Sequence, residues 1–254
     1  MAVLSFDAVS GAHGGSETSD STTHTPVGTP SLAVLLMWTA AATGSFAATY
    51  GGDSMAALTG SPHAGPPRGY GNSKLDPSSG AQTVAVSWTT STRHGWGVWT
   101  FLNALFIPEF LGDDGVGAAQ STLTFPNTSS KGFIVELFGV NDNTAAVAEQ
   151  SGQTQDFSLG ASGIPRLVQG FHVAASNGST DVRVDTDTGT WVHIAAYIPP
   201  APPGNRAYII GSWIWEQLQE RTGLLAPRGM GELWRPPAPQ ILTPSARQVE
   251  ALAA

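Results

Sequence analysis

Six histidines (His13, His24, His63, His94, His172 and His193), nineteen Asp/Glu and no cysteine are the raw material for any chemistry in this chain. A catalytic zinc would want a motif such as HExxH, which sets two imidazoles one helical turn apart, and these histidines are too scattered to supply it. His24, inside Thr23-His24-Thr25, reads as structural. Acyl transfer would want a serine on a G-x-S-x-G elbow backed by a helix, and the sequence has neither. Asp113, Asp114, Glu136 and Glu149 offer carboxylates for glycoside hydrolysis, which needs two that converge, but any chain with nineteen acids offers such pairs. Asp185 and Asp187 in DTDTG, or Asp113-Asp114 before Gly115, have the oxygen clustering that calcium takes, and a plain β-turn favours the same residues. The expectation is a non-enzymatic protein with no catalytic residue, metal ligand or cofactor.

Large apolar side chains are the better candidates for contact. Tyr70, Trp96 and Trp99 form one set, whose rings could stack on sugars. A second set, Trp213, Ile214, Trp215, Leu218 and Trp234, lies near the carboxyl end and is expected to grip a partner protein. Trp96, Trp99, Phe101 and Phe106 cannot share one face of a strand at period two, so some are expected to pack under loops or against another chain.

The elements that must position these groups read as strands. Leu32 to Trp38 is continuously apolar between Pro30 and Gly44, as in a strand covered on both faces. Phe46 to Tyr50 follows, and Gly51-Gly52 supplies a tight turn before Ser54 to Thr59. Further strands are expected at Val3 to Val9, Thr22 to Val27, Thr83 to Thr89, Gly95 to Ile107, Ser121 to Phe125, Gly132 to Val140, Leu167 to Ala174, Ser179 to Val184 and Thr190 to Ile198. The Gly/Ser/Thr-rich run Ser10 to Ser21 and the turn-rich run Gly60 to Gly80 read as loops, the second as a contact surface.

Thirty glycines, eighteen prolines and few charges suit many short strands better than long helices. The expected fold is all-β, a two-sheet antiparallel β-sandwich of jelly-roll type over residues 1–200. The run Pro199 to Gly204 marks a boundary, and 201–254 reads as a Pro-rich linker and C-terminal arm with one or two short helices. Residues 1–200 carry six Lys/Arg against fifteen Asp/Glu, a net of −9, and the remainder five against four, a net of +1. An arm too small for its own core is expected to lie on a neighbouring subunit, which makes the protein a homo-oligomer. The overall charge of −8 argues against nucleic acid as a partner. The amino terminus has neither the basic nor the sustained apolar region of a secretory signal, and the apolar run Leu32 to Ala42 is far short of the ~20 residues that cross a bilayer. No membrane insertion is expected.

One order of elements is familiar. Thr23-His24-Thr25, the apolar strand Leu32 to Met37, Thr49 to Gly52, Thr83 to Trp88, Gly152 to Gln155 and Val192 to Pro199 together resemble the β-sandwich domains of phage virion structural proteins, also seen in secreted bacterial surface proteins. The resemblance spans roughly residues 3–200 and transfers no catalytic or ligand residue. It implies a virion protein at the particle surface: a capsid decoration protein, a head spike or fibre base, or a tail-associated subunit, with other virion proteins as partners. The alternative is a glycan-binding module that attaches to host cell-surface polysaccharide.

Overall fold

The computed structural model describes residues 3–63, 67–104, 108–141, 147–149, 152–161 and 164–200, all within the unit Met1–Pro202. These residues form β1 (Ser5–His24), β2 (Leu32–Thr39), β3 (Phe46–Tyr50), β4 (Asp53–Ser54), β5 (Ala56–Ala57), β6 (Arg68–Leu75), β7 (Gln82–Leu102), β8 (Glu109–Val116), β9 (Ala119–Thr128), β10 (Phe133–Val140), β11 (Val147–Glu149), β12 (Thr154–Ala161), β13 (Ile164–Ala174), β14 (Gly178–Thr186) and β15 (Thr190–Ile198). No helix occurs among the described residues, and every strand pairing is antiparallel. The all-β expectation holds, but the described strands form three sheets where two were expected.

The first sheet runs β4-β3-β7-β2-β6-β5, with β1 laid along β7, and it curls over on itself. Ser10 and His24 prove the curl. They are 14 residues apart on β1, which in a straight strand is about 46 Å, yet His24 Nδ1 lies 3.0 Å from Ser10 Oγ. The bend falls where the β1–β7 register slips, between Gly14 and Ser19. Inside the curl, Ala33, Leu35 and Met37 of β2 meet Ala48, Tyr50, Val84, Val86, Trp88, Trp96 and Val98 in one apolar cluster.

The second sheet, β12-β13-β10-β15-β8, is the middle layer. Alternate residues point to opposite faces of a strand, and here both faces are covered. Val135, Leu137, Val168, Val192, Ile194, Ala196 and Ile198 pack against Leu32, Val34, Leu36, Trp38, Trp99 and Phe101 of the curled sheet. From the other face, Ile134, Ala195 and Tyr197 meet Leu123, Phe125 and Val182, while Phe138, Phe171 and Trp191 meet Val184. Those partners lie on the small third sheet, β11-β14-β9.

Several glycines sit within strands, opposite bulky side chains of the facing layer, among them Gly69 and Gly71 from the run expected to be a loop. Trp38 lies on Gly139, Val168 on Gly95, Ile194 on Gly69 and Phe110 on Gly71. The ring of Phe157 rests in a cradle of Gly11, Gly97 and Gly170. Except at Gly170, which neighbours Phe157 within the middle sheet, the absent Cβ lets the two layers approach.

Two expected loops are strands. Ser10 to Ser21 continues β1, because pairing along β7 satisfies its backbone without needing apolar side chains. Within the Gly60 to Gly80 run, Arg68 to Leu75 is β6, with five consecutive buried residues paired to β2. Trp96 and Trp99 do point to opposite faces of β7. Both are fully buried by packing within the domain, the first inside the curl and the second against the middle sheet, so neither needs a loop or another chain.

Candidate functional site

The fold assembles two serine–histidine constellations that share no sequence motif. The first crosses the interface between the middle and small sheets. Glu136 on β10 and His193 on β15 point to the same face, with Glu136 Oε2 at 3.1 Å from His193 Nε2. His193 Nδ1 lies 3.0 Å from Ser121 Oγ on β9, and that hydroxyl donates to Asp113 Oδ2 at 2.9 Å. Gln153 Nε2 donates to both oxygens of Glu136, at 2.9 and 2.7 Å. Glu136 and His193 are fully buried and Ser121 is 1% exposed. The single hydroxyl proton of Ser121 is given to Asp113, so its oxygen accepts from His193. A histidine that donates to a serine cannot take that serine's proton. This row has the residue types of a triad with the protons facing the wrong way, and it divides two apolar clusters between the same sheets.

The second constellation lies inside the curl. His24 Nδ1 is 3.0 Å from Ser10 Oγ and His24 Nε2 is 3.1 Å from Thr100 Oγ1. Thr100 Oγ1 donates to Asp7 Oδ2 at 3.0 Å, and Asp7 Oδ1 accepts from the Gly28 amide at 2.9 Å. Burial pushes the His24 imidazole down to about 4, against the opposing pull of the Asp7 charge. Burial, reinforced by the same Asp7 charge, raises the neighbouring Tyr50 phenol to about 12. His24 and Thr100 are fully buried, whereas Ser10 and Asp7 are only half-buried.

Two other carboxylates act as anchors. Asp20 Oδ2 accepts from Trp96 Nε1 at 2.9 Å and lies 3.1 Å from His94 Nε2, while Asp20 Oδ1 takes the Ser21 amide at 2.7 Å. Burial alone would raise its pKa, but the hydrogen bonds from His94, Trp96 and Ser21 and the charge of His94 outweigh that, and the carboxyl titrates below its ordinary value. Asp20 borders an open groove of about 530 Å³ lined by Glu17, Ser19, Ser21, Ala47, Thr49, Ala85, Val86 and Ser87. Asp156, at the β-bulge between Gln155 and Phe157, accepts from Trp99 Nε1 at 2.6 Å and lies 2.6 Å from His172 Nδ1.

Of the residues expected to stack on sugars, Tyr70 is 3% exposed and Trp96 and Trp99 are fully buried. Their polar atoms are occupied by Thr43, Asp20 and Asp156, and none turns a ring face to solvent. The arm residues Trp213, Ile214, Trp215, Leu218 and Trp234 lie outside the described residues, as do Phe106 and the whole of 201–254. The acids considered for calcium have other partners: Asp113 takes Ser121, Asp114 takes His63 at 2.7 Å and Asp185 takes Arg183 at 3.1 Å. Among the described residues, no three His, Cys, Asp or Glu side chains gather as a metal site would require, and no helix is long and apolar enough to cross a membrane. Sequence reasoning missed Asp7, Ser10, Thr100 and Ser121, because a strand curl and a sheet-to-sheet contact bring them together and neither leaves a local motif.

No protein-family model, curated protein or solved structure matches the chain.

Proposed function

We propose that this chain is a non-enzymatic structural subunit at the surface of a virus particle, a decoration protein, a spike or fibre base, or a tail-associated subunit. The observation that carries this reading is where the polar chemistry goes. Asp156 and Asp114 spend their carboxylates on joining layers of the stack, Glu136 spends its own within the middle sheet on His193 and Gln153, and the Ser121-His193-Glu136 set is sealed from solvent. A cysteine-free stack locked by packing and buried polar bonds suits a part that must hold its shape within a larger assembly. The elements behind the virion resemblance also pack together: His24 of Thr23-His24-Thr25 meets Tyr50 of Thr49 to Gly52 edge-on, with centroids 5.9 Å apart. The jelly-roll connectivity, the homo-oligomer and the anchoring arm at 201–254 belong to the same proposal. Deleting residues 204–254 should leave a folded domain that no longer enters particles; a truncated protein that still assembles normally sinks the reading.

A second reading, attachment to host polysaccharide, is favoured by one observation: an open groove on the first sheet is lined by four hydroxyl-bearing residues, Ser19, Ser21, Thr49 and Ser87, together with the acidic Glu17. Serine and threonine side chains with an acidic residue among them are groups that bond sugar hydroxyls. Saturable binding on a glycan array that Ser87→Trp abolishes would support it, and a flat array would remove it.

A further inference from the structure

We propose that Ser10 is a nucleophilic hydroxyl, held by His24 to accept an activated acyl or phosphonyl group as a covalent adduct. The inference goes beyond the particle reading and does not depend on it.

Proton placement decides between the two serines. Thr100 gives its only proton to the Asp7 carboxylate, so Thr100 Oγ1 accepts from His24 Nε2–H. A neutral imidazole protonated on Nε2 leaves Nδ1 as a bare acceptor, and the group 3.0 Å from it is the Ser10 hydroxyl. Ser10 therefore donates to His24. This is the arrangement of an activated nucleophile: hydroxyl, base, then an orienting hydroxyl and carboxylate that fix the tautomer and face the imidazolium as it forms. At neutral pH the buried His24 is uncharged, as the role requires. The Ser121 set has the opposite polarity and no solvent access, whereas Ser10 is half-buried on a strand paired, among the described residues, on one edge only.

The step balances without a further reagent. Ser10 Oγ forms a bond to the carbonyl carbon or phosphorus, and its proton passes to Nδ1 of His24. The bond to the leaving alkoxide or fluoride breaks, and the leaving group takes that proton directly or through water. The groups facing His24 are Ser10, Thr100, Tyr50 and, through Thr100, Asp7. Asp7 supplies the only formal charge among them, and it stabilises the cation formed.

The test is to treat the full chain with an alkyl fluorophosphonate and map adducts by peptide mass spectrometry. The exposed Ser54 and Ser78 serve as internal controls. Labelling of Ser10 should outpace both by on the order of 10²-fold, the lower end of what a positioned base contributes. The wild-type rate should be flat near neutrality and fall as the pH approaches about 4. Ser10→Ala should remove the adduct, His24→Gln should lower the rate to that of the controls, and Thr100→Val should slow it with rescue by Thr100→Ser. Circular dichroism of each variant separates loss of reactivity from loss of fold, and the wild-type pH profile needs no variant. Labelling of Ser10 at the rate of Ser54, or no adduct on Ser10 in folded protein, overturns the proposal.

Discussion

The indole of Trp38 lies flat against the backbone of Gly139, so that a Cβ on that glycine would overlap the five-membered ring. Trp38 is fully buried and belongs to the curled sheet, while Gly139 belongs to the middle sheet, so the contact sets the distance between layers. Gly139→Ala must push an entire layer or force the indole off its rotamer. It should cost about 1–3 kcal/mol, the usual toll of overpacking, and Trp38→Ala about 3–5 kcal/mol through the cavity left behind. Urea unfolding should show a lower midpoint with an unchanged slope in both variants; wild-type stability for Gly139→Ala would mean the layers are not held at this spacing.

Glu136 and His193 make the strongest case for coupling. Each is fully buried, and removing one leaves the other without its ionic partner, with only Ser121 remaining to His193 or Gln153 to Glu136. Glu136→Ala or His193→Ala should each cost about 3–5 kcal/mol, whereas the apolar pair Glu136→Leu with His193→Phe should cost clearly less than the two single changes together. A double-mutant cycle in urea measures this, and strict additivity would show that the two do not act as a pair.

His24 gives the stability a definite acid limb. Its imidazole is driven down to about 4 from 6.5, so between those values the unfolded chain takes up a proton that the folded chain refuses. Stability is complete above about 6.5 and drains as pH falls to about 4, by on the order of 3 kcal/mol at 1.4 kcal/mol per unit. Asp20 adds to the loss at lower pH, because its lowered folded value is stabilising only while the carboxylate stays ionised. Tyr50 works at the other end: its phenol is held protonated to about 12, so stability present below 10 is lost as pH rises from 10 towards 12. Chemical denaturation across pH checks all three, and His24→Phe should flatten the segment between 6.5 and 4.

What the sequence revealed depended on whether side chains or backbone placed the residue. Leu32 to Trp38 was legible as a doubly covered strand because all of it is apolar, and the alternation of Val84, Val86 and Trp88 was legible because each points inward. β6 was not, since RGYGNSKL is written in turn residues; it is buried because β2 pairs along it and because Ile194 and Phe110 press on Gly69 and Gly71. The Ser10–His24 contact was invisible for a related reason, as a register slip in a Gly/Ser/Thr run bends the strand without altering its hydrophobic pattern. Tyr70, Trp96 and Trp99 were legible as important aromatics, but not as interior ones, because composition does not say how many layers lie over a strand.

Asp156 offers a test of how the middle sheet is tied to the curled one. The bulge at Gln155–Phe157 turns its carboxylate inward to receive the indole N–H of Trp99 from the other layer, with His172 on its second oxygen. Asp156→Ala leaves that indole proton buried without an acceptor, which should cost about 1–3 kcal/mol. If the loss comes from the stranded donor, Trp99→Phe in the Asp156→Ala background should cost less than it does in the wild type, because the unsatisfied group goes with the indole. Thermal unfolding of the four proteins decides it. An equal cost of Trp99→Phe in both backgrounds would assign the role of Asp156 to His172 alone.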